Sequence, residues 1–329
     1  MTKNNVYHVL NYKQFQHEIV ESLKGLLDEN YKIEVCKVLK NNSVELVALV
    51  IKGEEDYITP NIYLESYYER YLNGRSINEI VENIIDSHFE FLEKGMREIN
   101  QVSYEWPNVK DGIFYRIINR DKNKKLLETV PHILYLDLAI TFQYLASDNK
   151  DGIGMIRITK EHMEEWGINL KDLKDIATHN TPCLFPPTVR NMNEVIYDMI
   201  KKDWADSSTS NQLYDPKSNL NKDMLMDILF NYEKDESPMY VLSNSHGING
   251  AACILYKDVL LQLAYELDSD LLILPSSIHE VIAIKDDGII NKADIVDMVA
   301  EVNEHEVEDE DYLSNQVYQY NRSSDVIVM

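Results

Sequence analysis

The 329-residue chain carries 56 acidic and 32 basic residues, a formal charge of −24, with 44% hydrophobic and 27% charged residues. By length this is two or three compact units, or one large one. The balance excludes a disordered chain, and 11 Gly and 9 Pro exclude a collagen-like one. So negative a surface repels a phosphate backbone, and no Lys/Arg cluster rises above it, so direct nucleic-acid binding is not expected.

A helix is expected over 12–27, where Phe15, Ile19, Val20, Leu23, Leu26 and Leu27 share one face. Runs 31–39 and 44–51, joined by Lys40-Asn41-Asn42-Ser43, read as a hairpin. The second run is apolar on both faces, as an interior strand is. After Pro60 comes a tyrosine-rich helix ending at Gly74. Such a helix serves core and rim, or a binding face. Ser76 and Glu79 then spell a capping box for a longer helix that Gly95 is expected to stop.

In the middle of the chain, strands are expected at 113–118, 136–144 and 152–158, with a helix at 122–129. Thr159 caps a helix through Trp166, Asn169 caps another through His179, and 183–187 is extended. Residues 203–223 are polar and without period, as a linker is. Beyond them, helices are expected at 224–232, 251–267 and 295–302. Strands are expected at 239–242, 271–274 and 279–284, with 317–320 and 326–328 closing the sheet. Irregular alternation with hairpins predicts an α+β fold of mixed, largely antiparallel sheets with packed helices. The expected division is 1–105, an N-terminal α/β subdomain; 106–202, a middle region; the linker 203–223; and 224–329, a C-terminal region.

Cys36, Cys183 and Cys253 lie far apart, which predicts free thiols and no zinc ribbon. The first ten residues lack the apolar core of a secretory signal. The apolar stretches 133–146 and 271–275 fall short of the ~20 residues that span a bilayer. A cytoplasmic protein without a membrane segment is expected.

Three blocks of residues carry a resemblance. The first is Lys40-Asn41-Asn42, Pro60 to Glu65, and Tyr71 before Gly74. The second is Arg116-Ile117-Ile118-Asn119 with Asn123, Leu126, Pro131 and Asp137-Leu138-Ala139. The third is Pro238 to Asn244, Asn249 to Ala252, and Leu274 to Ser277 with His279-Glu280-Val281. Together they resemble an uncharacterised bacterial domain-of-unknown-function family over nearly the whole chain. The latter two-thirds is distantly similar to the YtpQ-like family. Neither resemblance implies an activity.

No nucleophile elbow, phosphate-binding loop, H-E-x-x-H, C-x-x-C or EF-hand loop occurs, and no cofactor or metal is expected. His88, His162 and His305 have nearby carboxylates but no second ligand at metal spacing, and read as surface histidines.

One constellation remains. Ser243 and Asn244 end a strand, Ser276, Ser277, His279 and Glu280 follow another, and Asn249-Gly250 precede a helix whose free N–H groups suit an anion. Together these could make a hydrolase or transferase site. As structure, the same residues are a turn, a cap and a strand entry. Arg116, Asn119 and Asp137 form a second, polar group in apolar strands, of the kind that specifies packing.

The acidity itself reads either as a solvated surface or as one that imitates nucleic acid, and its densest run, 304–311, as a solvated loop. The leading expectation is a non-enzymatic protein-binding module meeting a basic protein surface, with an inhibitor or anti-defence factor as a special case. The enzyme at Ser276, Ser277, His279 and Glu280 is the alternative.

Overall fold

Asn11 starts the first helix. Its Oδ1 accepts the Gln14 N–H at 3.0 Å, and Gln14 Oε1 accepts the Asn11 N–H at 3.0 Å, so two otherwise orphaned donors are satisfied. The helix α1 (Tyr12–Leu26) buries Phe15, Ile19 and Leu23 completely. Each such side chain contributes about 1.5–3 kcal/mol of burial. The computed structural model describes residues 9–54, 60–99, 105–149, 152–207, 239–275, 277–288 and 291–329. The chain divides into two units, residues 1–110 with 145–156, and residues 111–144 with 157–329. The fold is α+β, and every strand pair with a stated register is antiparallel.

In the first unit β1 (Lys32–Leu39) and β2 (Glu45–Lys52) form the hairpin, with Leu39 opposite Glu45. Its turn places Asn42 at φ 55 and Ser43 at φ 61, a region asparagine tolerates. β3 (Ile62–Tyr63) pairs with the other edge of β2, which makes β2 the interior strand. Its Leu49 and Ile51 join α1, Leu64 of α2 (Leu64–Leu72), and Ile80, Val81 and Ile84 of α3 (Ile77–Ile99) in one core. Tyr67, Tyr68 and Tyr71 pack against that core, and the Tyr68 ring lies 5.2 Å from Phe15. The capping box at Ser76 and Glu79 is present.

Two expectations change here. α3 does not stop at Gly95 but runs to Ile99, since one interior glycine costs only about 1 kcal/mol. His88 is not a surface histidine. It is 1% exposed and edge-on to Tyr31 and Phe89.

A short helix, α4 (Trp106–Val109), precedes the second unit. There β4 (Ile113–Asn119), the first part of β6 (Leu138–Asn149) and β5 (His132–Tyr135) lie side by side, and α5 (Lys124–Thr129) links β4 to β5; the end of β6, and most of β7 (Gly152–Arg157), which pairs with β6, are counted in the first unit. The strand expected from Leu136 instead turns there: Leu136 has φ 55 and Asp137 completes a hairpin between β5 and β6. α6 (Lys160–Trp166) starts at Thr159. Its capping partner is His162, whose Nδ1 accepts the Thr159 N–H at 3.1 Å. Burial there holds the His162 imidazole below the usual histidine range.

α7 (Leu170–Leu184) continues five residues past His179 and contains Pro182. Residues 183 and 184 are therefore helical, not extended, because buried Leu173, Ala177 and Thr181 dock this helix along β4. β4 is an edge strand, and α7 satisfies two of its free backbone groups. Thr181 Oγ1 accepts the Tyr115 N–H at 3.1 Å, and Asn180 Nδ2 donates to Ile113 O at 3.0 Å.

β8 (Pro187–Asn191) and α8 (Met192–Ser207) follow. Most of the linker expected over 203–223 and all of the helix expected over 224–232 lie outside the described residues.

The large sheet runs β13-β12-β10-β11-β9-β8, made by β9 (Tyr240–Asn244), β10 (Asp270–Leu274), β11 (Val281–Asp286), β12 (Tyr318–Asn321) and β13 (Val326–Val328). Leu272, Leu274 and Ile284 meet Ile295 and Val299 of a helix, Lys292–His305. The single helix expected over 251–267 is two pieces. A 3-10 turn, Gly250–Leu255, and α9 (Val259–Glu266) are separated by Asp258 at φ 67. The helix Lys292–His305 is then α10. Cys36 and Cys183 are exposed free thiols, and Cys253 is a buried one, pushed up to about 12 by its burial. No helix among the described residues is long and apolar enough to cross a membrane.

Candidate functional site

β9 and β11 are neighbours, with Leu242 opposite Val281, so the end of β9 meets the segment that enters β11. That brings Ser243, Asn244, Asn249, Gly250, Ser277 and His279 together. Ser276 lies outside the described residues. Gly250 is where the backbones touch. A Cβ there would sit 2.2 Å from Ser243 Oγ, 2.3 Å from His279 O and 2.9 Å from Asn244 N. Asn249 precedes it at φ 54. The Asn244 side chain closes the intervening loop, donating to Ile248 O at 2.8 Å and accepting the His246 N–H at 3.0 Å.

His279 has both ring nitrogens engaged. Nδ1 accepts the Asn249 N–H at 3.3 Å, which places the proton on Nε2, and Nε2 lies 3.1 Å from Asp311 Oδ1. The serines address its backbone instead: Ser243 Oγ donates to His279 O at 2.7 Å, and Ser277 Oγ accepts the His279 N–H at 2.9 Å. Neither hydroxyl bonds the imidazole, so neither has a base to take its proton. Glu280 is half-buried and makes no hydrogen bond or ion pair among the described residues.

The helix expected after Gly250 is a six-residue 3-10 turn, and two of its first N–H groups are spent. Ala251 N–H bonds Ile278 O, and Ala252 N–H bonds Asn249 O. It therefore lacks the row of free N–H groups that a helix start presents to an anion. What this corner can do is fasten: it ties β9, the 3-10 turn, the entry to β11 and the Asp311 loop at one point.

The second group separates. Asp137 holds the β5–β6 turn, accepting from Ser314 Oγ and from Tyr318 OH, both at 2.6 Å. Burial, then Asp137 itself, pushes the Tyr318 hydroxyl far up. Asn119 donates to Leu313 O at 2.9 Å and accepts the Lys122 N–H at 2.8 Å. Arg116 bonds neither of them. It lies mid-strand on β4, opposite Thr141 of β6, and Thr141 in turn lies opposite His132 of β5.

A cavity of about 350 Å³ opens elsewhere in the second unit, among Tyr135, Tyr256, Lys257, Asp258, Tyr320 and Asp325. Tyr320 OH donates to Asp325 Oδ1 there at 2.6 Å. Among the described residues no three His, Cys, Asp or Glu side chains gather as a metal site.

Sequence reasoning missed Asp311, which lay in an acidic run read as solvated loop. It also missed Thr141, because a threonine in a strand carries no signal of its own.

The architecture is thus that of an α+β protein whose polar clusters mainly fasten loops to sheet ends. The chain belongs to a family of unknown function, DUF5688, whose pattern matches residues 12–322. No curated protein and no solved structure matches the chain.

Proposed function

We propose that this chain is a non-enzymatic protein-binding module of the bacterial cytoplasm, one that meets a basic or mixed protein surface. The observation that carries this is the outer face of α10. Asp294, Asp297, Glu301 and Glu304 are exposed along it, with Glu306, Glu308 and Asp309 exposed just beyond. Asp297, Glu301, Glu304, Glu306 and Glu308 have no ion-pair partner among the described residues. Met298 and Val302, 48% and 43% exposed, lie among them and offer apolar area. Such a face draws a cationic partner by its field and rejects an anionic one.

An inhibitor or anti-defence factor that occupies a nucleic-acid groove is the special case. The pattern of the latter two-thirds of the chain further supports a distant kinship with the YtpQ-like family. The hydrolase or transferase reading has less support, since both His279 nitrogens are engaged and the serines bond backbone.

The test is capture of partners from host extract by the wild-type chain and by Asp297→Lys/Glu301→Lys/Glu304→Lys. A basic protein held by the first, released by salt and lost by the second is expected. A partner held equally by both overturns the reading.

A further inference from the structure

Arg116 occupies the middle of β4 with 9% of its surface exposed. Its guanidinium makes no hydrogen bond or ion pair among the described residues, and its Nε is fully enclosed without an acceptor. Directly opposed residues of an antiparallel ladder share a face, so Arg116, Thr141 and His132 form one row across three strands. Gln143, two residues along β6 from Thr141, joins that face.

Thr141 is 4% and Gln143 7% exposed, and Thr141 Oγ1 is enclosed without a partner. His132 Nδ1 lies 3.1 Å from Val130 O and is used locally, which leaves Nε2 as its remaining polar atom. Ile158 N–H bonds Phe142 O, which brings Arg157 of β7 alongside. Burial first, and then Arg157, push Arg116 down to about 10, while Glu310 acts the other way and offsets only part of this.

A buried guanidinium without a hydrogen-bonded anion, beside a second guanidinium, is a costly arrangement. Three polar side chains here are more than nine-tenths buried and supply donors that nothing in the described fold accepts. In a chain of charge −24 this is an inverted patch. A polyanion is repelled by the rest of the surface, whereas a small anion answers only to the local charge of Arg116. We propose that Arg116, Thr141 and Gln143 bind the oxyanion group of a small molecule, a phosphate or a carboxylate. The guanidinium supplies charge and a planar fork, and the hydroxyl and amide fix orientation. This site is independent of the acidic face of α10 and does not rest on that reading.

The experiment is thermal unfolding and titration calorimetry of the full chain at constant ionic strength, with inorganic phosphate, acetate or chloride. Phosphate or acetate, but not chloride, is expected to raise Tm by about 2–4 °C near saturation. Which of the two acts decides between phosphate and carboxylate. Arg116→Met should melt at or above the wild type in chloride, because an unpaired buried charge is gone, and should lose the response. Thr141→Val, which keeps the volume, should fold and bind the same anion about fivefold more weakly. Exposed Arg70→Met should respond like the wild type.

No shift with either anion, or a shift retained in Arg116→Met, overturns the proposal. So does an Arg116→Met chain that melts well below the wild type in chloride, which would make Glu310 the counterion that Arg116 needs. Should Arg116→Met not fold, Thr141→Val still decides: unchanged affinity overturns the site.

Discussion

His279 and Gly250 fail in different ways when changed, and the difference separates a fastening from a catalyst. His279→Ala leaves the Asn249 N–H and the Asp311 carboxylate without their imidazole partner. The expected loss is about 1 to 2 kcal/mol in urea unfolding, since both groups can still recruit water. Gly250→Ala forces a methyl onto the His279 carbonyl and the Asn244 amide, which are backbone and cannot swing aside. It should cost about 3 kcal/mol or more. If His279 were a general base, its alanine variant would keep its midpoint and lose a measurable activity. An unchanged urea midpoint is therefore the result that contradicts the fastening role.

At the scale of elements, α7 is a cover for an exposed edge. β4 has β6 on one side only, and Thr181 stands where the next strand would be, accepting the Tyr115 N–H and donating to Ala177 O at 2.5 Å. Thr181→Val keeps the shape and orphans a buried edge amide. It should cost about 1 to 3 kcal/mol. Hydrogen exchange read by mass spectrometry should show faster exchange in peptides covering Tyr115. Unchanged protection there would mean that packing alone holds the helix. The same contact explains why Pro182 fails to end α7. A proline near the last turn removes one hydrogen bond, and the docking of Leu173, Ala177 and Thr181 outweighs it.

The whole molecule should be limited at alkaline pH. Cys253 is pushed up to about 12, and Tyr115, Tyr256, Tyr318 and Tyr320 are pushed above the range of free tyrosine, in each case first by burial. An acid whose folded pKa is raised holds its proton longer in the native state than in the unfolded chain. The stability it contributes is complete below the unfolded pKa and is lost as pH rises toward the folded one. The urea midpoint should therefore fall steadily above about pH 9, where the free thiol begins to ionise, and steepen near pH 10. A flat profile from pH 8 to 11 would contradict the burial of these groups. Arg116 opposes the trend only above about pH 10, where the unfolded chain keeps a proton that the folded one sheds.

Local signals in the sequence were sufficient wherever neighbours in the chain supply both partners. The capping residues Asn169, Ser76 and Asn291 bond backbone within three positions, the Asn41-Asn42 turn sets its own hairpin, and a continuous apolar run marks β2 as an interior strand. The grouping of Ser243 with His279 was legible only on the condition that two strands be neighbours, and the pairing of β9 with β11 supplies that condition. The rest was decided by partners that only the tertiary structure supplies. Leu136 adopts a left-handed turn without glycine or asparagine because Ser314 and Tyr318, about 180 positions on, hold Asp137. His279 became a brace because Asp311, 32 residues away, reaches its Nε2. Arg116 becomes a chemical problem only once β6 and β5 place Thr141 and His132 beside it and no hydrogen bond forms to its guanidinium. Sequence fixes what is satisfied within a turn or a strand. A buried polar group takes its role from whichever distant donor or acceptor the folded chain brings to it, and no pattern along the chain records that distance.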